Sequence, residues 1–240
     1  MNNNQNKNGE MGVIGRIIGI FTSPRETFQS IDKRPTWLVP FLIVVIVTMA
    51  LSYFTLDVQI HDRQAIMRTK DLSQEQLDAI QSQMEGPFKY IGVLAVPIGV
   101  IIAWSVLAAV FLFCGNTIMG GDVNFKRMFS VVSWSGLIGL VGTTIIMLLA
   151  LSKGTFNGVT TSLAVLLPTP ELGAHKTILY RLLSKIDIFV IWELAVWIIG
   201  VSVIFKFSTK KAATMILSLW GIWVVISILL GSILNVSIGS

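Results

Sequence analysis

The sequence predicts an all-α, polytopic membrane helix bundle with five transmembrane helices, and three observations predict it. The 240 residues are 53% hydrophobic and only 13% charged, against roughly 25% charged in an average soluble domain. Mean hydropathy is +0.75. The charges are also segregated: none falls in Trp37–Leu56, Ile91–Gly121, Phe129–Ser152 or from Ala212 to the C-terminus. Uncharged apolar runs of about 20 residues match the thickness of the hydrocarbon core.

Residues 1–10 form an Asn-rich polar tail, expected to be disordered. The apolar stretch Met11–Phe21 is short and interrupted by Arg16, so no cleavable signal peptide is expected and the first span serves as an uncleaved anchor. Residues 11–36 make an amphipathic region. Ser23-Pro24-Arg25-Glu26 combines an N-cap serine, a helix-starting proline and a capping-box glutamate. Val13, Ile14, Ile17, Ile18 and Phe21, followed by Phe28 and Ile31, supply an apolar face expected to lie on the cytoplasmic leaflet.

A five-helix transmembrane domain follows over 37–235, with spans at about 37–56, 90–114, 130–151, 186–205 and 214–234. Pro97 is expected to kink the second. The first outer loop, Asp57–Gly86, carries the capping-box pattern Ser73-Gln74-Glu75-Gln76; Leu77, Ile80 and Met84 then recur at helical spacing and predict a short amphipathic helix. Its six acidic residues lack EF-hand spacing, and no metal is assigned to them. The second outer loop, Ser152–Lys185, holds the apolar stretch Leu163–Leu167 before Pro168 and Pro170. Five residues cannot cross a bilayer, so this piece is interfacial, re-entrant or caps the bundle. Ile178–Leu183 is a further amphipathic stretch leading into the fourth span.

Orientation follows from Lys and Arg near the span ends. One side has ten such residues and the other eight, but the eight are diluted over two connections of more than 30 residues. The short loop with Lys206, Lys210 and Lys211 decides for a cytoplasmic N-terminus and an outside C-terminus in the plasma membrane. The net charge of +5 fits this anchoring better than nucleic-acid binding, because no basic stripe is interleaved with aromatics. Cys114, the one cysteine, cannot form an intramolecular disulfide and reads as a packed small hydrophobe.

Catalytic signatures are sought and not found. His61 and His175 both lie in outer loops, with no His-Glu-x-x-His, and there is no Gly-x-x-x-x-Gly-Lys-Ser/Thr for a P-loop nucleotide site. Trp134-Ser135-Gly136 and Gly120-Gly121-Asp122 each match only a fragment of an intramembrane protease motif. No enzyme activity and no cofactor are expected.

Glu193 stands out. A carboxylate in a span costs about 2.5–3.5 kcal/mol on insertion scales, so it should face the bundle or a wet cavity. Its readings are an ion or proton site, or a protonated or hydrogen-bonded tie between helices. Asp187, six residues earlier and nearer the interface, reads as a helix cap. Gly136, Gly139 and Gly142 in the third span, with Gly231 in the fifth, allow close helix approach. Helix packing is their first reading and a homo-oligomer seam the second.

Several segments in order resemble one family. Thr22-Ser23-Pro24-Arg25-Glu26-Thr27-Phe28 with Ile31 and Pro35-Thr36-Trp37-Leu38-Val39-Pro40 is similar to the N-terminal signature of the Yip family, the Ypt/Rab-interacting membrane proteins. Gly120-Gly121-Asp122 with Phe125-Lys126-Arg127-Met128-Phe129 resembles the family's segment before span three. Leu182-Leu183-Ser184-Lys185-Ile186-Asp187-Ile188-Phe189, Ile191-Trp192, Gly200 and Lys210-Lys211-Ala212 extend the likeness to nearly the whole chain. The outer-loop helix and short tail resemble the prokaryotic branch. The resemblance implies five membrane-spanning helices, a cytoplasmic N-terminus and no catalysis; some prokaryotic members are associated with ABC-type export systems.

The leading functional expectation is a non-enzymatic membrane adaptor or assembly factor, acting in the lipid bilayer through a membrane-protein partner or a homo-oligomer. The alternatives are a small transporter or channel using Glu193, and a lipid-binding or membrane-shaping protein.

Overall fold

Apolar runs long enough to bridge hydrocarbon must satisfy every backbone N–H and C=O internally, and this chain does so by helix throughout. The computed structural model describes residues 11–68, 73–84 and 86–238. The polar tail 1–10, together with Asp71 and Glu85 of the first outer loop, lies outside the described residues. In chain order the α-helices are α1 (Val13–Thr22), α2 (Pro24–Lys33), α3 (Leu38–Phe54), α4 (Leu56–Arg68), α5 (Gln74–Met84), α6 (Ile91–Leu94), α7 (Val96–Leu112), α8 (Phe125–Lys153), α9 (Ile178–Leu183), α10 (Ile188–Phe205) and α11 (Thr209–Ile238). A 3₁₀ turn, Gly86–Tyr90, precedes α6, and a π-turn, Phe113–Ile118, ends α7. The protein is an all-α polytopic membrane bundle.

Four stretches are by themselves long and apolar enough to cross a bilayer: Gly86–Ile118, Phe125–Lys153, Ile188–Phe205 and Thr209–Gly231. The first span differs. Helix α3 has 17 residues and meets the criterion only together with α4, from which it is bent by 58°; counting that pair as one span gives five. The bend falls at Thr55, which is buried. Its hydroxyl donates back to the Leu51 carbonyl at 2.9 Å, and Gln59 Nε2 donates to the same hydroxyl at 3.0 Å. The second span is interrupted as well, at Ala95, two residues before Pro97 in the first turn of α7.

Helix α8 is the centre. Asn124 caps its start by accepting from the Arg127 N–H at 3.0 Å, and Gly154 ends it in the left-handed region at φ 73°. Its segment Met128–Ile138 is buried without interruption, packed by α3, α7, α10 and the N-terminal pair α1–α2. Leu42 and Ile46 on α3, Ile98 and Ile102 on α7, and Leu148 and Leu149 on α8 remain exposed; these outward apolar side chains are what the bilayer solvates. Helix α11 packs on α10 and α9.

The N-terminal region departs from the expectation of a platform lying on the leaflet. Helices α1 and α2 form an antiparallel hairpin, and the apolar face of α2 is turned inward: Phe28 and Ile31 are fully buried. Phe28 packs where Gly200 leaves room on α10, beside Val131 of α8. Protein therefore covers the α2 face, while α1 keeps Val13, Ile14 and Ile18 exposed. Buried Arg16 ties the hairpin together, donating to the Ser30 hydroxyl and carbonyl (3.0–3.2 Å), the Arg34 carbonyl (3.1 Å) and the Thr36 hydroxyl (2.9 Å). The capping box expected at Ser23 does not form, and Ser23 makes no side-chain cap. Its backbone already ends α1, its N–H bonding the Gly19 carbonyl at 2.7 Å, and that fixes its conformation.

We call the end of the bundle carrying α1–α2 the near end and the opposite one the far end. At the near end Arg127 pairs with Asp32 at 3.5 Å, and Lys211 Nζ donates to the Met119 carbonyl at 2.8 Å. At the far end α5 opens with a reciprocal cap: the Gln76 N–H donates to Ser73 Oγ at 3.3 Å, and the Ser73 N–H to Gln76 Oε1 at 3.0 Å. The apolar piece of the second loop is a 3₁₀ turn, Leu163–Leu166, with Ala164 buried and Val165 and Leu166 exposed. Its Leu163 N–H donates to the Ile186 carbonyl at 2.9 Å, so it fastens the loop to the start of α10.

Candidate functional site

The site is built around the far half of α10. Asp187 caps that helix: its Oδ1 accepts from the Phe189 N–H at 2.8 Å and the Val190 N–H at 3.3 Å, and its Oδ2 accepts from the Thr161 hydroxyl. An isolated antiparallel bridge joins Ser162 to Asp187. The second outer loop thus clamps the beginning of α10 and fixes the rotation at which its side chains enter the bundle.

That rotation sends Glu193, half-buried, toward α8 at Gly139, where a β-carbon would fall 3.1 Å from Glu193 Oε2. The missing side chain makes the space for the carboxyl. Among the described residues no hydrogen bond or ion pair engages that carboxyl. Gly142 faces Phe189, with a β-carbon there meeting the Phe189 side chain at 2.9 Å. The other two glycines stand elsewhere. Gly136 is buried against the Trp104 ring, 2.5 Å from a would-be β-carbon, and Gly231 of α11 faces Arg181 Nη1 at 2.8 Å.

Two cavities meet at Glu193. The smaller, about 360 Å³, lies between α8, α10 and the second outer loop; Thr143, Thr160, Thr161, Ser184 and Asp187 line it with Glu193, Gly139 and Gly142. The larger, about 690 Å³, lies between α7, α10 and α11. Apart from Glu193, Ser184 and Lys185, it is lined by apolar and aromatic residues, among them Phe111, Trp197, Trp220 and Trp223. The Trp197 and Trp220 indole N–H groups are buried without an acceptor. Lys185 Nζ stands over the Trp223 ring, 4.4 Å from its centroid.

The structure therefore brings Glu193, Asp187, Gly139 and Gly142 around one polar cavity, and leaves Gly136 and Gly231 outside it. The sequence allows a Trp, Ser or Thr neighbour for Glu193, and Trp197 lies four residues on along the same helix, but it does not show that Trp220 and Trp223 line the same cavity. Trp220 and Trp223 are three apart, on one face of a helix, but that spacing does not disclose which helix faces them. Chemically the arrangement offers a carboxyl between a hydroxyl-lined pocket and an aromatic one. Among the described residues no group of three or more His, Cys, Asp or Glu is arranged to hold a metal ion.

Comparison with known proteins fits this architecture. The chain matches the Yip1 domain over residues 18–231. It is 28% identical over 224 residues to "Membrane protein YknW" of Bacillus subtilis (strain 168), covering 92% of both chains. No solved structure matches it. The family match runs from within α1 to Gly231 of α11, and the bacterial relative aligns over nearly its whole length. The chain is an integral, multi-pass membrane protein that belongs to the Yip1 domain family, on its prokaryotic side.

Proposed function

We propose that this protein is a non-enzymatic membrane adaptor or assembly factor, set in the plasma membrane with its N-terminus and near end in the cytoplasm. One observation carries this reading: a helical cap held rigidly beyond the apolar zone at the far end. Helix α4 leaves the bilayer direction at the Thr55 bend, and buried Asp62 anchors it, accepting from the Thr155 hydroxyl and the Phe156 N–H, both at 2.7 Å. A buried carboxylate anchoring an otherwise polar helix fixes the orientation of a displayed surface, which suits partner recognition. Cross-linking and affinity capture from native membranes test the proposal. A discrete partner or stable homo-oligomer, weakened by Asp62→Ala, is expected; a protein that stays monomeric and alone overturns it. Association with an ABC-type export system is one outcome that capture would identify.

A second reading is favoured by the two cavities that share Glu193: passage of a small species from the polar pocket to the aromatic one, as in a small transporter. Liposome flux compares wild type with Glu193→Gln. Loss in the variant supports transport, and absence of flux in both removes it.

A further inference from the structure

The large cavity between α7, α10 and α11 measures about 690 Å³. That volume suits a small molecule, since ligand pockets run about 300–1,000 Å³. What that molecule must be follows from the lining. Glu193 contributes a carboxyl that makes no hydrogen bond or ion pair with any described residue, although the Lys185 ammonium lines the same cavity. Trp197, Trp220, Trp223 and Phe111 contribute aromatic surfaces to the same cavity. Aromatic faces attract cations through the ring quadrupole, more strongly where water is excluded. One of these rings already holds an ammonium: Lys185 Nζ lies 4.4 Å from the Trp223 centroid. A carboxyl within a span is costly unless something pairs with it, and the rest of the cavity is apolar.

We propose that this cavity binds a lipophilic organic cation. Its charge is set against the Glu193 carboxylate and the tryptophan faces, and its apolar groups fill the remainder. Such a ligand satisfies both halves of the lining at once. An anionic amphiphile would place its charge beside Glu193, and a bare inorganic cation would leave the aromatic volume empty. Lys185, as a like charge at the same cavity, competes with the ligand for Trp223. The proposal rests on the second reading above only in taking Glu193 as the working group. It requires no flux.

Equilibrium binding of tetraphenylphosphonium to the purified full-length protein in detergent tests it, with tetraphenylborate as a probe of the same shape and opposite charge. Wild type should bind the cation at least tenfold more tightly than the anion. Glu193→Gln should weaken the cation at least tenfold, Trp220→Leu should weaken it less, and Lys185→Gln should leave it unchanged or tighten it. Variants are compared only where they elute as the wild type does on size exclusion. The wild-type cation–anion comparison needs no variant: equal affinity for the two probes, or no cation binding, overturns the proposal. Tighter binding of the anion than of the cation, lost in Lys185→Gln, would do the same, pointing to an anionic occupant. Cation binding without flux leaves the proposal standing and removes transport; flux of another species without cation binding does the reverse.

Discussion

Replacing Phe28 with alanine should release the N-terminal hairpin from the bundle. The side chain is fully buried and fills the space left by Gly200, where a β-carbon would fall 2.6 Å from Val131 Cγ1 and 3.1 Å from the Phe28 ring. Phe→Ala in a packed core costs about 3–5 kcal/mol. Apolar burial counts for less where lipid already solvates the helices, so the lower end, about 3 kcal/mol, is appropriate for this site near the interface. At 1.4 kcal/mol per decade that is roughly a hundredfold increase in the undocked population. Thr27 is a suitable reporter, being fully buried on the same helix. With Cys114 replaced by serine and Thr27 by cysteine, maleimide labelling in membranes should accelerate by about that factor when Phe28→Ala is added. Gly200→Val should act in the same direction, and Ile14→Ala, at a residue 66% exposed, should change little. Equal labelling with and without Phe28 would refute the reasoning, because a helix resting on the leaflet does not depend on a bundle contact.

Asp187→Ala should lower stability by about 1 kcal/mol, the usual cost of losing an N-cap, seen as an earlier thermal transition in detergent; restoration by Asn would identify the cap as the cause. Trp134→Phe removes the 2.7 Å bond from Nε1 to the Thr36 carbonyl. Leaving that acceptor unsatisfied should cost about 1–3 kcal/mol, measured by the same melt. Gly136→Leu drives a side chain into Trp104 and should cost about 1–3 kcal/mol or more through overpacking, read as loss of monodisperse protein on extraction. Gly221→Leu, at a helical glycine with no neighbour near its β-carbon position, should extract normally.

What the sequence made legible follows from the kind of signal each feature leaves. Uncharged runs reveal spans directly, so the bundle and its five apolar helices, the first of them α3, were readable from hydropathy. The bend at Thr55 was not. The charges that begin at Asp57 mark the end of an apolar run, but they do not show that the chain continues as a helix set at 58° to the first. Amphipathicity showed that Phe28 and Ile31 would be buried, but an apolar stripe looks the same whether lipid or protein covers it. Glu193 was legible as an anomaly because a carboxylate interrupts an apolar run. Its surroundings were not, since they depend on three residues from other segments: Gly139 opening space on α8, and Trp220 and Trp223 arriving from α11.

That dependence explains how the bundle accommodates a carboxyl in hydrocarbon. On α8 the glycine spacing removes side chains where α10 approaches, so the two helices come close at Gly142 and still leave room for the Glu193 carboxyl at Gly139. On the opposite side α11 is held through α10 and α9, leaving the volume between α7 and α11 unfilled by protein. Close packing on one side and a gap on the other put Glu193 at a boundary between a hydroxyl-lined pocket and an aromatic one. A purely structural tie would need an acceptor or donor from a neighbouring helix, and no described residue provides one. The energetic balance of the site must therefore be completed from outside the described helices, by a proton, by water from the threonine-lined pocket or by a bound cation. Each makes a different demand on Glu193→Gln. A glutamine keeps the hydrogen bonds of a neutral acid and of water contacts, but abolishes pairing with a cation, so the cation-binding measurement separates the last case from the first two.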